Sequence, residues 1–427
     1  MRTSILRRLI FPLFFLLMLS SCEDITKQTI TWVEFEPVYM SQEEFLNSVA
    51  LEASKDLESP GKIYFYNGYL FVNEVNEGIH IIDNRDPSSP LNVGFINIPA
   101  NKDLAIRSDI LYADSQKDLL VFDISDLEQP ELLERIEDVF NTSAEMAPGF
   151  TTQVVDPEKG LVIDWKPVIK EEICEGTCRS HPGWGFRTLA STDAMFSGGA
   201  GSESSQSGVG GSMARFTIQG DYLYAVDHTD LITFNVSSAE NTVKVDQKNL
   251  GWGIETIFPY RENLFIGSES AMYIYGLSNP TSPAQLSVYL HATSCDPVVV
   301  EGDYAFVTLR EGERCPRGIN RLEVIDVEDL SRPNKVQSYE MINPHGLGID
   351  EGTLFISEGD HGLKILDAAN PLEIRQLRHI TDIQAYDVIP LNGVLMVTGA
   401  GGILQYDYTD LENLQLLSTI PVYSEKQ

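Results

Sequence analysis

The chain has 427 residues, with 63 acidic against 30 basic side chains, a formal charge of −33 and 43% hydrophobic content. That is enough apolar residue for one large domain or two to three small ones, and it excludes a disordered chain. The acidic excess repels phosphate backbones and anionic headgroups, so no nucleic-acid partner is expected.

Residues 1–22 open with Arg2, Arg7 and Arg8, pass through an apolar run from Leu9 to Leu19 and end in Ser20-Ser21-Cys22. A basic start before an apolar core of about 11 residues is a secretory signal, too short to span a bilayer. Leu19-Ser20-Ser21-Cys22 resembles the lipobox of bacterial lipoproteins. The resemblance implies a signal peptide over 1–21 and a lipidated Cys22, giving a mature chain of charge −36 held at the bacterial outer membrane by its lipid. Whether it faces the periplasm or the exterior stays open. Export places the other four cysteines in an oxidising compartment. They are expected as two disulfides, Cys174 to Cys178 and Cys295 to Cys315, with zinc ligation as the alternative.

Residues 22–60 are expected to form a tether with a strand at Ile30 to Phe35 and a short helix. Ser41-Gln-Glu-Glu44 is a capping-box pattern opening that helix, which should run to about Leu57 and stop before Pro60-Gly61.

From residue 61 onward four short apolar segments, separated by Asp, Ser, Gly or Pro turns, recur seven times. The third segment of each unit ends at Asp83, Asp123, Asn235, Gly276, Asp326, Asp367 and Asp407, spaced 40, 112, 41, 50, 41 and 40 residues apart. A period near 40 with four strands per unit is a propeller blade, because one such sheet cannot bury both faces alone. The expected fold is therefore all-β: a seven-bladed β-propeller of four-stranded antiparallel blades over 61–427, with a short N-terminal helix and one long insertion at about 141–212. The insertion accounts for the spacing of 112, and it is expected to hold a strand pair around Thr152 to Ile169, the small cysteine loop and a flexible Gly/Ser-rich run from Ser197 to Ser212. An eighth, degenerate blade inside it is the alternative.

The core strand Ile81-Ile-Asp83 followed by Asp86-Pro-Ser-Ser-Pro90 resembles the LVIVD repeat, over roughly residues 60 to 425. That resemblance implies a propeller and an exported lipoprotein of the kind found in Bacteroidetes-type bacteria. It carries little about function, since blades serve unrelated tasks.

With strands lettered A to D from the channel outward, the D to A connections and the B to C turns share one face. The insertion, the long loop Leu309 to Asn320, and Cys295 all map to it. The A strands begin at Lys62, Asp103, Arg215, Glu255, Asp296, His345 and Asp387, which are read as matched positions around the channel mouth. Together with His361, in the turn Glu358-Gly-Asp-His361-Gly, they are the candidate ligand-binding residues, with calcium as a candidate cation and no other cofactor expected. The competing reading is that these groups fix strand ends by bonding backbone amides. Four arginines between Arg310 and Arg321 suit an acidic glycan or local pairing with Glu311, Glu313 and Glu323; Trp165, Trp184, Phe186 and Trp252 suit sugar stacking or plain packing.

No nucleophile elbow, zinc-protease, phosphate-loop or dinucleotide signature is present in the sequence. The expected function is a lipid-anchored, non-catalytic binding or assembly module for an envelope protein or glycan. Two alternatives stand beside it: an envelope glycan- or peptide-processing enzyme using channel-mouth carboxylates, and a structural subunit beside an outer-membrane transporter.

Overall fold

A computed structural model of the chain describes residues 27–141, 155–175, 207–292, 297–311 and 319–423. Seven antiparallel sheets follow one another, each containing four consecutive strands in sequence order. Their innermost strands are Pro60–Tyr66, Leu104–Arg107, Phe216–Gln219, Ile254–Tyr260, Val298–Glu301, Leu347–Asp350 and Asp387–Leu391, and these head blades one to seven. The count is seven. The described strands of the insertion build no eighth blade: Leu161–Glu175 pairs with the N-terminal strand Lys27–Met40, and Val209–Gly210 joins the first blade.

Each blade is packed on both faces, so its central strands are continuously apolar rather than alternating. The middle of the second strand is a large buried residue in every blade: Phe71, Tyr112, Tyr224, Phe265, Phe306, Phe355 and Met396. Burying one such side chain is worth about 1.5–3 kcal/mol, so the ring is held mainly by contact between blade faces. The outer strands are largely exposed, with Phe95 and Ile96 of blade one buried, and in all seven blades a register shift interrupts their pairing with the third strand. Such bulges increase local twist and blunt an open edge. The first blade's outer edge is covered instead by Ala50–Glu52.

Asp83, Asp123, Asn235, Gly276, Asp326, Asp367 and Asp407 are the last residues of the third strands, as the spacing requires. The reason for the acid is local. Six of these side chains accept the backbone N–H two residues on, at 2.8–3.2 Å, closing the turn to the outer strand. Asn235 does this as well as Asp, while Gly276 has no side chain to offer.

The ring closes without exchange of a strand, since blade one comes wholly from the N-terminal side and blade seven wholly from the C-terminal side. Asn84 and Gln405 bond reciprocally across that seam, Nδ2 to Oε1 at 2.9 Å and Nε2 to Oδ1 at 2.6 Å, and both are buried. At the mouth, Tyr423 N donates to Leu57 O at 2.7 Å.

The capping box is present, with Ser41 Oγ accepting Glu44 N at 3.2 Å and Ser41 N donating to Glu44 Oε2 at 3.1 Å. The helix covers only Gln42–Asn47, shorter than expected, because the chain after it is drawn out as the edge strand Ala50–Glu52. The N-terminal strand is longer than expected, Lys27–Met40. It pairs with Leu161–Glu175, which replaces the strand pair expected within the insertion. Among the described residues, 27–36 and 165–175 form a separate small unit, in which Lys170 Nζ lies 2.5 Å from Glu36 Oε1. Among the described residues no helix is long and apolar enough to cross a membrane. Cys22, Cys178, Cys295, Cys315, the side chain of Cys174, and the signal segment lie outside the described residues.

Two outcomes are expected. Asn84→Leu alone leaves the buried Oε1 of Gln405 without a donor, though its Nε2 keeps Ser418 Oγ at 3.2 Å, and should cost about 1–3 kcal/mol, whereas Asn84→Leu with Gln405→Leu should recover most of it in denaturant titrations. The turn acids are held below the usual carboxylate range: Asp83 at about 2 by Arg85, Asp329 at about 2 by Ser331 and Arg332, and Asp123 and Asp407 lowered by Ser125 and Thr409. Depressed acids stabilise above the unfolded value and lose that contribution as pH falls through the folded one, so the melting temperature should drop between about pH 4 and pH 2. Asp123→Asn, which keeps the turn bond but cannot titrate, should lessen that drop.

Candidate functional site at the channel and its mouth

The register of each A strand is set by its tight turn into strand B. Counted back from those turns, equivalent mouth positions are Lys62, Asp103, Arg215, Thr256, Pro297, Gly346 and Asp387. Glu255, Asp296 and His345 stand one residue earlier in the sequence, and a one-residue offset turns a strand's side chain to the opposite face. The seven candidates are therefore not one ring of matched side chains, and charge at the matched level comes from Lys62, Asp103, Arg215 and Asp387.

Lys62 and Asp103 are buried and paired, Nζ to Oδ2 at 2.5 Å. Asp103 also accepts Leu104 N at 2.8 Å, Phe216 N at 3.2 Å and the amide of Arg215. One carboxylate thus joins the inner strands of blades one, two and three. Burial lowers the Lys62 pKa, and Asp103 opposes that shift. Asp387 differs. It is fully buried, it makes none of the bonds to other blades that Asp103 makes, and burial raises its pKa well above the usual carboxylate value against the Val388 amide and the attraction of Lys62.

His345 is half-buried. Its Nε2 lies 3.1 Å from Asn343 Nδ2, its ring meets Tyr386 edge-on at 5.4 Å, and its carbonyl accepts Thr308 Oγ1 at 2.8 Å. Desolvation, with Arg310 nearby, brings its pKa down to about 3, so the imidazole is neutral at physiological pH. His361 is exposed on the B to C turn of blade six, with its carbonyl accepting His379 Nε2 at 2.8 Å. Glu255 and Arg215 are half-buried, and Asp296 lies outside the described residues. Trp252 is exposed on the mouth face against His228, ring centroids 4.1 Å apart. Trp184 and Phe186 fall outside the described residues. Among the described residues no three His, Cys, Asp or Glu side chains gather as metal ligands.

The channel is occupied by the chain itself. Residues 207–214 run up its axis, antiparallel to the inner strand of blade one, with Val209 opposite Phe65 and Gly210 opposite Tyr64. At the end distant from the mouth, Ser207 bridges Arg107 and Gly208 N donates to Ile106 O at 3.0 Å. Near the mouth, Ser212 Oγ accepts Leu347 N of blade six at 3.1 Å and Ala214 O accepts Ile257 N of blade four at 2.7 Å. Tyr64 Oη donates to the carbonyl of Gly208 at 3.1 Å. Val209 packs with Ile63 and Leu70 of blade one and Ile389 and Met396 of blade seven, filling the closing seam from inside.

This corrects the expectation of a flexible run to Ser212. Gly208 and Gly210 are there because the strand lies against the Tyr64 ring, where a Cβ on Gly208 would collide with Tyr64 and the Phe65 carbonyl. The available signal was the lone Val209 between glycines, an apolar residue a solvated linker has no use for.

A model of the LVIVD repeat matches residues 61–97, 101–138 and 293–341, which are blades one, two and five. No curated protein matches the chain. Among solved structures, a protein from Lactobacillus plantarum aligns with a TM-score of 0.54 at 11% identity, over 86% of this chain and 97% of its own. The computationally designed Ika8 protein aligns with a TM-score of 0.50 at 10% identity, over 87% of this chain and 91% of its own. At such identities the likeness is one of fold alone.

Gly208→Ala should destabilise the protein by about 1–3 kcal/mol through overpacking against Tyr64. Gly401→Ala, where a Cβ meets open space, should change stability by less than about 0.5 kcal/mol in the same thermal melts.

Proposed function

We propose that this LVIVD-repeat propeller is a non-catalytic binding or assembly module, tethered to the cell envelope by lipid on Cys22, that takes a protein or glycan partner on the mouth face. The observation that carries the reading is the filled channel. Among the described residues, 207–214 lie along its axis and take up the ring centre, and recognition falls to the surface around the mouth. Two of the proposed mouth acids are also unavailable as an acid and base pair at solvent: Asp103 is committed to Lys62 and three backbone amides, and Asp387 is fully buried. Loop elaboration on a rigid scaffold is where binding residues concentrate, and here the chain leaves for the insertion at Asn141, and for the loop after Leu309, on that face. The lipobox-like Leu19 to Cys22 supports the tether.

Photo-crosslinking in cells tests this. A crosslinker at exposed Asp360, on the mouth face, is expected to capture an envelope partner that one at exposed Ser88, on the opposite face, does not. Cys22→Ser should release the protein from the membrane fraction. Capture only from Ser88, or turnover of an envelope glycan that Asp103→Asn or Asp387→Asn abolishes, would overturn the proposal.

A further inference from the structure

Among the described residues one tryptophan is exposed, and neighbouring loops of the mouth face hold it in place. Trp252 lies on the connection between the outer strand of blade three, Val243–Asn249, and the inner strand of blade four, Ile254–Tyr260. Its flanks are bonded to the B to C turns of both blades. Leu250 N donates to Thr229 O at 2.8 Å and Ile254 N to His228 O at 3.1 Å, in the turn of blade three. In the turn of blade four, Glu269 N donates to Gly253 O at 2.9 Å. Gly251 and Gly253, with φ of 107° and 78°, have backbone that other residues rarely adopt, and Trp252 between them is 53% exposed. A Cβ on Gly251 would meet open space, so that glycine serves the path of the backbone and not packing.

The side chains bordering the indole are polar. The His228 ring stands at 83° to it with centroids 4.1 Å apart, and a single ring set at right angles can occupy only one indole face. On the other flank, Glu269 Cγ and Cδ lie 3.1 Å from where a Cβ on Gly253 would be, which brings the carboxyl end over the residue that follows Trp252. His228 and Glu269 are both half-buried. An aromatic that anchors a protein contact sits in an apolar, desolvated patch. An indole bordered by imidazole and carboxylate matches a sugar ring instead, which has an apolar C–H face and a rim of hydroxyls. The slightly positive C–H groups rest on the negative π-face, and the hydroxyls bond the groups at its border. Charge narrows the class further. Glu269 accepts hydroxyl hydrogens and repels carboxylate or sulfate, in a chain of charge −33, so the sugar is a neutral one.

We infer that Trp252, His228 and Glu269 bind one unit of a neutral, equatorially linked hexose chain, stacked flat on the indole. The inference rests on the proposed mouth-face binding and names the partner as a glycan.

Isothermal titration calorimetry of the purified protein with cellohexaose, chitohexaose and hexagalacturonic acid tests it. A neutral oligomer is expected to bind with a Kd of about 1 mM or tighter, and the acidic one is not. Trp252→Ala should weaken binding about tenfold or more, and Glu269→Gln about threefold. The exposed Trp252 side chain can be removed with little effect on the melting temperature; where Trp252→Ala does disturb the fold, Trp252→Phe and Glu269→Gln carry the comparison. No heat from either neutral oligomer at about 10 mM, equal binding of the acidic one, or binding unaltered by these substitutions would overturn the inference. Partner capture at Asp360 separates the two readings: capture that persists while neither neutral sugar binds removes the Trp252 site and leaves the mouth-face module standing. A crosslinker at Trp252 that captures protein would assign the residue to a protein contact and equally remove the sugar site.

Discussion

Everything in this propeller depends on closing the ring between the last blade and the first, and the chain does so without lending a strand across the seam. Three contacts at different depths hold it. Val209 of the channel strand fills the inside, the Asn84 and Gln405 amides pair in the middle, and Leu57 and Val422 meet at the mouth. The amide pair is particular to this seam. At the position of Asn84 the other blades carry Ile124, Val236, Leu277, Val327, Ala368 and Tyr408, and at that of Gln405 they carry Ile81, Val121, Thr233, Ile274, Val324 and Ile365. Seven similar blades could pair in the wrong order through apolar contact alone. An amide that meets an apolar neighbour is left buried and unpaired, so the polar pair disfavours every other junction for these two edges.

The channel strand ties this closure to the path of the chain. Asn141 is bonded to Asp227 and Asp230 at the mouth face, whereas Ser207 lies beside Arg107 at the opposite end of the channel. The chain therefore leaves blade two on one face and re-enters the ring from the other. Its backbone contacts at residues 207–210 are with blades one and two, already formed in chain order, whereas those near the mouth are with blades four and six and the packing of Val209 on blade seven comes last. Local docking first, followed by enclosure as later blades arrive, follows the lower entropy cost of the nearer contacts.

What was legible in the sequence follows from what each residue does. The third-strand ends were placed to the residue because the acid there has one local task, closing a turn, and Asn235 could perform it. The mouth ring was misaligned at Glu255, Asp296 and His345 because polarity was taken as the marker, while the register is fixed by the turn into strand B. The helix overran because its start has a capping signal in Ser41 and Glu44, but its end is decided by tertiary pairing of Ala50–Glu52 with the first blade. The channel strand was missed because glycines chosen for close approach to Tyr64 have the composition of a flexible linker. Local rules are written in the sequence, and long-range ones are visible only where they leave an unusual residue.

The net charge has the same two-level origin. At the matched mouth level Lys62 and Arg215 offset Asp103 and Asp387, so the channel itself is balanced. The turn face is different. Six of the seven third strands end in an acid or its amide, and in four blades a second turn residue three positions on repeats the bond: Asp86, Asp126, Asp329 and Asp410 each accept a backbone N–H at 3.0 Å. Asp83, Asp329 and Asp410 are held below the usual carboxylate range because the bonds they accept favour the charged form. A repeat that closes its turns with aspartate, copied around a ring, accumulates negative charge on the face away from the mouth. A part of the acidity counted in the composition is therefore a consequence of how the blades turn, and its presence there is no sign of a ligand.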